Sequence, residues 1–328
     1  MPSKDIEKRR EQIYKSFDLE TYFNGNIPSR VKICEVGPRD GLQHEETLVS
    51  VEAKVKLIEM LASAGLSHIE VGSFVSPKWV PQMANTLELF NHLHDINSTA
   101  LTMSVLTPNM KGLSYAMDVQ VPEVAIFAAA SEEFSRRNIN CSIEESLVKY
   151  STVCSVALQQ GIRVRGYVSC VLGCPYEGEI SNENVMRITR ELLRMGCYEV
   201  SLGDTVGLGT PLTTHRLLRH LNDNSIPLER LAVHFHDTHS TAIPNILVAL
   251  HHGVAVIDSS VSGLGGCPYA DGATGNIATE DVVYLLDKLG IECGVSLSKL
   301  LEASRFIDAL LRRQTAAKLI SGNLGRTI

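Results

Sequence analysis

The sequence predicts a (β/α)8 barrel, an α/β fold in which eight parallel strands alternate with helices. Two observations lead to this prediction. Eight short runs rich in β-branched and other apolar residues recur along the 328-residue chain, with helix-like segments between them. Several of those segments end on a glycine just before the next strand, where a helix C-terminus favours glycine. Since no internal repeat or linker divides the chain, we expect the eight strands to close a single barrel.

The predicted elements follow one another in the order that a parallel barrel requires. Each strand is separated from the next by enough residues for a crossover connection. Strands are predicted at 31–36, 68–74, 101–106, 123–129, 162–171, 198–204, 231–237 and 254–261. Helices are predicted at 51–65, 83–94, 144–160, 181–196, 211–223 and 240–252.

Helical segments are also predicted at both ends of the barrel. Residues 1–30 read as a helix with a polar lead-in, 31–297 as the catalytic barrel and 298–328 as a C-terminal extension. The apolar spacing of 298–319 predicts one amphipathic helix that packs outside the barrel or against a second subunit. A doubly wound open sheet is the alternative fold, but EVGPRDGLQHEE rather than a glycine-rich phosphate loop follows the first strand.

The composition narrows the class of function. Hydrophobic residues make up 44% and charged residues 20% of the chain, as in globular proteins with a large core. A net charge of −7 without a basic block argues against nucleic acid or an anionic membrane as partner. The sequence has no apolar run of about 18 residues, the length of a membrane span. Its eight cysteines lack the spacing of a zinc ribbon.

The chain ends do not read as targeting signals. MPSKDIEKRREQIYKSFDLE mixes acidic with basic residues, whereas a mitochondrial transit peptide is poor in acids. Pro2 stands where myristoylation requires glycine, and the final NLGRTI is no peroxisomal tripeptide. We therefore expect a cytoplasmic protein with reduced thiols.

Candidate metal ligands lie at the predicted carboxyl ends of the strands, where barrel enzymes carry their active sites. The seventh strand, LAVHFHD, places His234 and His236 on one face, because alternate side chains of a strand point the same way. Asp40 follows the first strand and Asn276 follows the eighth. Two imidazoles, a carboxylate and an amide oxygen suit Mg²⁺, Mn²⁺ or Zn²⁺, and the same count serves non-haem iron oxygenases.

Further polar residues are expected at the same end of the barrel. Cys267 lies in the glycine-rich stretch SGLGGCPYADGATGN, and a cysteine on a mobile loop is placed for proton transfer or nucleophilic attack. Taken singly, each residue has an ordinary structural explanation such as a helix cap or an ion pair. Their joint occurrence favours a catalytic site, whose other members at the strand ends are Arg39, Glu70 and Asp204.

Six long motifs follow one another along the chain: EVGPRDGLQ (35–43), SFVSPKWVPQM (73–83), NINCSIEES (138–146), RGYVSCVLGCPYEG (165–178), SLGDTVGLGTP (201–211) and SGLGGCPYADGATGN (262–276). In this order they resemble the 3-hydroxy-3-methylglutaryl-CoA lyase family. RDGLQ alone indicates only the wider DRE-TIM metallolyases, which include isopropylmalate and homocitrate synthases. SFVSPKWVPQM and GLGGCPYA indicate the lyases themselves.

The resemblance implies a role for each matching residue. Arg39 matches the arginine that stabilises enolate charge, and Cys267 matches the loop cysteine that acts in proton transfer. The family's divalent-metal ligands, for Mg²⁺ or Mn²⁺, match Asp40, His234, His236 and Asn276. Its further active-site acids match Glu70, Asp204 and Glu280.

The family implies a metal-dependent lyase that cleaves 3-hydroxy-3-methylglutaryl-CoA to acetoacetate and acetyl-CoA, as in leucine degradation and ketone-body synthesis. His234 or Asp204 would take the substrate's hydroxyl proton, while the metal fixes the substrate and Arg39 faces the enolate. Cys267, or a residue that relays with it, would protonate the carbanion. The family also implies a homodimer that binds an acyl-CoA as its substrate.

Four residues near the site depart from the family's pattern. The family's HDTYGQA is HDTHSTA here. Its RDGLQNE and the lysine that follows correspond to RDGLQHEE, in which Glu46 takes the place of that lysine. An acid disfavours a nearby anionic CoA. A lyase acting on a related 3-hydroxyacyl-CoA, a condensing synthase and a metal-binding barrel without catalysis therefore stay open as alternatives. The departing residues are His44, Glu46, His239 and Ser240.

Overall fold

The eight strands form a closed parallel barrel in a computed structural model that describes residues 27–93, 101–265 and 275–321. Consecutive strands pair with each other, and the first also pairs with the eighth. The predicted barrel is confirmed, and every strand lies within its predicted run. The strands are β1 (Lys32–Glu35), β2 (His68–Ser73), β3 (Thr102–Leu106), β4 (Glu123–Ala129), β5 (Arg163–Ser169), β6 (Glu199–Asp204), β7 (Leu231–Phe235) and β8 (Val256–Ser259).

Helices surround this barrel. The helices of the described residues are α1 (Val51–Ser63), α2 (Thr86–Leu93), α3 (Met110–Asp118), α4 (Glu132–Ile139), α5 (Ile143–Gln159), α6 (Asn182–Arg194), α7 (Pro211–Asp223), α8 (Ala242–His251), α9 (Thr279–Lys288), α10 (Leu297–Leu311) and α11 (Lys318–Ser321). The six predicted helices are present as α1, α2 and α5 to α8. The short helices α3 and α4 were not among the predictions. Helix α4 is polar, and two ion pairs between residues four apart support it: Glu132–Arg136 and Glu133–Arg137.

Hydroxyl side chains fix where several helices begin. Ser142 accepts a hydrogen bond from the Glu145 amide and the Glu145 side chain accepts one from the Ser142 amide, which is a capping box for α5. Thr210 caps α7 in the same way. Each such cap contributes about 1 kcal/mol to helix stability. The caps therefore also fix where the loops at the barrel mouth end.

Strand alternation decides which side chains reach the barrel interior. Along β7, Leu231, Val233 and Phe235 belong to the apolar core, which packs between the strands and the helices. The residues between them, Ala232 and His234, therefore point to the barrel axis. The same alternation directs Glu70, Arg165 and Asp258 inward, whereas Asp204 is the register partner of Phe235 and Glu35 is that of Ile69.

The C-terminal extension differs from its prediction. A single helix was predicted over 298–319, but α10 ends before Arg312, which adopts a left-handed conformation with φ of 54°. The neighbouring Arg313 explains the turn, because its guanidinium pairs with Glu45 at 2.6 Å and donates to the Ser262 carbonyl oxygen. These partners lie at the barrel mouth, so the chain turns away from the helix axis to reach them.

The predicted N-terminal helix falls within residues 1–26, which lie outside the described residues. The division of the chain into a leader, a barrel and an extension stays a prediction. Among the described residues, no helix has the length and apolar character that crossing a membrane requires.

Candidate metal centre and active site

Three of the predicted metal ligands converge at the carboxyl end of the barrel. His234 Nε2 lies 3.4 Å from His236 Nε2 and 3.8 Å from Asp40 Oδ2. One ligand atom from each of the three residues lies within 4.8 Å of the others. Ligand atoms that share one ion, each about 2.0–2.2 Å from it, lie at comparable separations. The donor set therefore fits a divalent cation.

A tight turn after β1 brings Asp40 to this position. Residues Gly37–Gly41 form a π-helical turn, in which the Asp40 amide donates to the Val36 carbonyl oxygen at 2.7 Å. The turn packs closely on the loop after β8, because a Cβ added at Gly41 would lie 2.6 Å from the Leu264 Cβ. The glycine after RD is thus required by this close approach.

Asn276 joins the cluster from the other side of the same loop. His236 and Asn276 form an isolated antiparallel bridge, which holds the end of the loop beside β7. The Asn276 amide nitrogen donates to Asp40 Oδ2 at 2.8 Å and to the Leu264 carbonyl oxygen at 3.2 Å. The amide nitrogen therefore faces Asp40, and ligation through the amide oxygen stays a prediction.

The local charges favour an ionised Asp40. Burial opposes its ionisation, but Arg39 and His234 outweigh that cost and hold the Asp40 pKa well below its usual range. Burial lowers the His236 pKa to about 3, so its imidazole is neutral at physiological pH. Burial also opposes the charged form of His234, but the carboxylates Asp258 and Asp40 outweigh it and raise the His234 pKa. A neutral imidazole is the form that binds a metal.

Arg39 is held on two sides beside the cluster. Its Nη1 donates to Asp40 Oδ1 at 2.6 Å, and its Nε donates to Glu70. Tyr167 donates its hydroxyl to the other Glu70 oxygen at 3.1 Å, so both oxygens of Glu70 have donors. Tyr167, which the sequence reasoning missed, also meets the His234 ring edge-on, with ring centres 6.2 Å apart. Glu70 and Tyr167 thus fix the direction of the guanidinium.

Asp204 lies on the strand next to the histidines. In the pairing of β6 with β7, Gly203 is opposite His234, and Asp204 is opposite Phe235, the residue between the two histidines. The Asp204 carboxylate accepts from the backbone amides of Leu208 at 3.1 Å and Gly209 at 2.8 Å. Burial raises the Asp204 pKa to about 6, against the lowering effect of these amides. A carboxyl with this pKa can accept or release a proton near neutral pH.

Glu280 makes its hydrogen bonds at the base of the loop after β8. Both of its oxygens accept from the Ser262 amide, at 2.9 and 3.0 Å, and Ser262 has a φ of 58°. Glu35, also missed by the sequence reasoning, accepts from the Gly37 amide at 2.8 Å and the Val261 amide at 2.9 Å. These two buried carboxyls tie the turn that carries Asp40 to the start of the loop.

Cys267 lies in 266–274, outside the described residues. Among the departures from the family pattern, His44 is exposed and lies 3.1 Å from the Gln43 amide nitrogen, which also donates to Asp40 Oδ1 at 3.0 Å. Ser240 has a φ of 60° and accepts a hydrogen bond from Lys318 Nζ at 3.2 Å. His44 is therefore linked to Asp40 through Gln43, and Ser240 follows the ligand His236 by four residues.

A buried ion pair between Arg165 and Asp258 lies beneath the cluster, and it was not predicted from the sequence. Arg165 donates to both oxygens of Asp258, at 3.1 and 2.7 Å, and Asp258 Oδ2 lies 3.4 Å from His234 Nδ1. The available signal was a charged residue within each of two largely apolar runs: Asp258 in VAVIDSSV and Arg165 in IRVRGYVSCV. Such a residue is almost never fully buried unless it is paired.

Comparison with known proteins identifies the family. The family model described as HMGL-like matches residues 30–307. The mitochondrial hydroxymethylglutaryl-CoA lyase of Homo sapiens is 54% identical over 301 residues, 92% of each chain. A 3-hydroxy-3-isohexenylglutaryl-CoA/hydroxy-methylglutaryl-CoA lyase of Pseudomonas aeruginosa is 52% identical and covers 92% of this chain and 99% of its own.

Solved structures agree with this comparison. The hydroxymethylglutaryl-CoA lyase of Pseudomonas aeruginosa superposes with a TM-score of 0.88 at 52% identity, covering 91% of this chain and 99% of its own. An HMG-CoA lyase of Acinetobacter baumannii, in complex with coenzyme A and 3-methylmalate, has a TM-score of 0.84 at 33% identity, covering 92% and 98%. The resemblance that the six motifs predicted is confirmed, and the chain belongs to the HMGL-like family.

Proposed function

We propose that this protein cleaves 3-hydroxy-3-methylglutaryl-CoA to acetoacetate and acetyl-CoA with the help of a divalent cation, Mg²⁺ or Mn²⁺. The observation that carries the proposal is the convergence of Asp40, His234 and His236 beside a buried, doubly paired arginine in a chain of this family. Two imidazoles and one carboxylate leave positions of the ion open for substrate oxygens.

In this proposal Asp40, His234 and His236 hold the cation, with Asn276 beside them as a fourth ligand. The cation supplies Lewis-acid polarisation of the substrate's hydroxyl and carboxylate oxygens when it is bound. Arg39 faces the thioester, where negative charge develops as the carbon–carbon bond breaks. Because Glu70 and Tyr167 fix its guanidinium in advance, little reorganisation accompanies the reaction.

We assign the base to Asp204 rather than to His234. His234 directs Nε2 toward the metal ligands and Nδ1 toward Asp258, so neither nitrogen is available for the substrate proton. Asp204, with a pKa near 6, takes that proton as the bond to the acetyl carbon breaks. The bonding electrons pass to the acetyl-CoA carbon, and the Cys267 thiol gives it a proton. Cys267 regains its proton from solvent or from Asp204.

One observation favours a second candidate substrate. The Pseudomonas aeruginosa relative is named for a 3-hydroxy-3-isohexenylglutaryl-CoA as well as for the methyl compound. The chemistry of cleavage is the same, since the two substrates differ only in the group on the hydroxyl-bearing carbon. Comparing kcat/KM for the two compounds ranks these candidates.

The test is acetoacetate formation from 3-hydroxy-3-methylglutaryl-CoA with Mg²⁺ or Mn²⁺. We expect metal-dependent product that His234→Ala and Cys267→Ala each reduce by about 100-fold or more. His92→Ala, at an exposed position on α2, is the matched control and should retain the wild-type rate. Absence of acetoacetate from folded, metal-loaded protein would reject this substrate, and product that does not depend on metal would reject the mechanism.

The partner and the compartment are further proposals. An acyl-CoA at the barrel mouth is supported by the coenzyme A complex of the Acinetobacter baumannii relative. We propose a homodimer. Light scattering during size-exclusion chromatography tests this by measuring the molar mass of the protein in solution. We also propose a cytoplasmic location, which fractionation against a mitochondrial marker tests.

A further inference from the structure

The Asp258 carboxylate, whose two oxygens both accept hydrogen bonds, lies directly behind His234, one of the proposed metal ligands. Asp258 is almost completely buried, with a relative exposure of 1%. Its two oxygens accept from Arg165 Nη1 and Nη2, and Oδ2 also accepts from the Ser201 hydroxyl at 2.8 Å. Three donors from two other strands therefore leave this carboxylate no freedom to turn.

The fixed carboxylate faces the nitrogen of His234 that does not point to the cluster. Asp258 Oδ2 lies 3.4 Å from His234 Nδ1, an ion-pair distance without the alignment of a hydrogen bond. The register of the barrel sets this contact, because His234 and Asp258 are direct partners in the pairing of β7 with β8. The opposite nitrogen, Nε2, lies 3.4 Å from His236 Nε2.

This arrangement selects one form of the imidazole. A neutral histidine carries its proton on one nitrogen only, and a carboxylate next to Nδ1 favours the proton there. The lone pair is then on Nε2, which faces His236 and Asp40. Carboxylates in this position behind a ligating histidine fix its tautomer and its ring direction.

We propose that Asp258 is a positioning residue of the metal centre, which, locked by Arg165 and Ser201, holds His234 with its Nε2 lone pair directed at the cation. The proposal rests on the metal site of the proposed function and is independent of the substrate's identity. The alternative is that Asp258 only neutralises Arg165 within the barrel. The two explanations differ in whether metal affinity changes when Asp258 changes.

The chain offers a matched control for this test. Glu199 accepts from Arg165 Nε at 2.8 Å on the opposite side of the guanidinium, and it is a register partner of Arg165. Glu199→Gln and Asp258→Asn each remove one carboxylate charge from the same buried arginine. Of the two carboxylates, Asp258 is the one that faces His234, so only Asp258→Asn should weaken metal binding.

The measurement is the Kd for Mn²⁺, from the electron paramagnetic resonance signal of the free ion, on wild-type protein and each variant. We expect Asp258→Asn to raise Kd about 10–100-fold, and Glu199→Gln to leave it within about twofold even where it lowers Tm. Ser201→Ala keeps both charges and removes one donor to Asp258, so it should raise Kd about 2–5-fold. It serves as the decisive variant if Asp258→Asn does not fold.

A spectroscopic readout separates positioning from general destabilisation. Nitrogen-15 NMR of metal-free protein, at a pH where His234 is neutral, should report the Nδ1–H tautomer in the wild type and its loss in Asp258→Asn. An unchanged Kd or tautomer in the folded variant overturns the inference, as does an equal loss of affinity in Glu199→Gln. Failure of the wild type to bind Mn²⁺ would instead reject the proposed metal site.

Discussion

Replacing Glu280 by glutamine is expected to make the protein's stability less dependent on pH. Burial raises the Glu280 pKa to about 8 from an ordinary value of 4.5, while hydrogen bonds such as that from Ser262 act in the opposite direction. The nearby Glu35 adds to the increase in pKa, and burial raises the Glu35 pKa to about 7. The native protein therefore keeps a proton on Glu280 that the unfolded chain releases at lower pH.

The direction of the effect follows from proton binding. Between pH 4.5 and about 8 the native state binds more protons at Glu280 than the unfolded state, so wild-type stability falls as pH rises through this window. At 1.36 kcal/mol per pKa unit, the full difference corresponds to about 5 kcal/mol. Relaxation and water penetration reduce such penalties in proteins, so we expect a loss of about 1–3 kcal/mol.

The assay is urea unfolding of metal-free wild type and Glu280→Gln at intervals from pH 5 to pH 9. The two proteins should have similar free energies of unfolding near pH 5. The variant should become the more stable by about 1–3 kcal/mol near pH 9, since glutamine stays neutral. Glu302→Gln, on the exposed side of α10, controls for the loss of one negative charge. A constant difference between Glu280→Gln and wild type across this range would refute the reasoning.

Three further predictions concern the barrel mouth. Arg39→Lys cannot reproduce the paired contacts to Asp40 and Glu70, so kcat should fall about 100-fold, and a rate near wild type would contradict this role. Wild-type kcat should fall as pH drops through about 6, because Asp204 becomes protonated. Asp204→Asn should have a low kcat that does not fall further over this pH range. If kcat of the variant still falls near pH 6, another group is responsible for the pH dependence. Ser240→Gly should be neutral or stabilise by up to about 1 kcal/mol in urea unfolding, because Ser240 has a φ of 60°; a clear loss of stability would show that its contact with Lys318 outweighs the backbone strain.

The fold and the centre of the site could be predicted because both follow from local patterns. Eight apolar runs with glycine-terminated helices between them are readable one at a time, and so is the same-face placement of His234 and His236. The rule that barrel sites lie at the carboxyl strand ends then brings Asp40 to the histidines. The predicted convergence is present, with 3.8 Å between Asp40 Oδ2 and His234 Nε2.

The supporting contacts could not be predicted because they depend on register between strands far apart in the chain. Arg165 and Asp258 are separated by 93 residues, and they meet only once the barrel has closed with its observed register. The end of α10 has the same explanation: the apolar pattern continues past Leu311, but Arg313 finds Glu45, 268 residues away, at the barrel mouth. A periodic pattern contains no information about such a partner.

The carboxylates around the site divide by their position relative to the metal cluster, and this division has a functional consequence. Glu70 has donors on both oxygens, Asp258 is saturated by Arg165 and Ser201, and Glu280 accepts from the Ser262 amide. We infer that these three act on other protein groups. Asp40 lies within the metal cluster, and Asp204 lies close enough to His234 for the histidine's charge to lower the Asp204 pKa, so we infer that these two act on the cation and the substrate. Replacing Asp258 should therefore change metal affinity, replacing Glu280 should change stability, and replacing Glu70 should change the position of Arg39. Loss of Asp204 should appear in kcat while metal affinity is retained, because its hydrogen bonds go to the loop of Leu208 and Gly209.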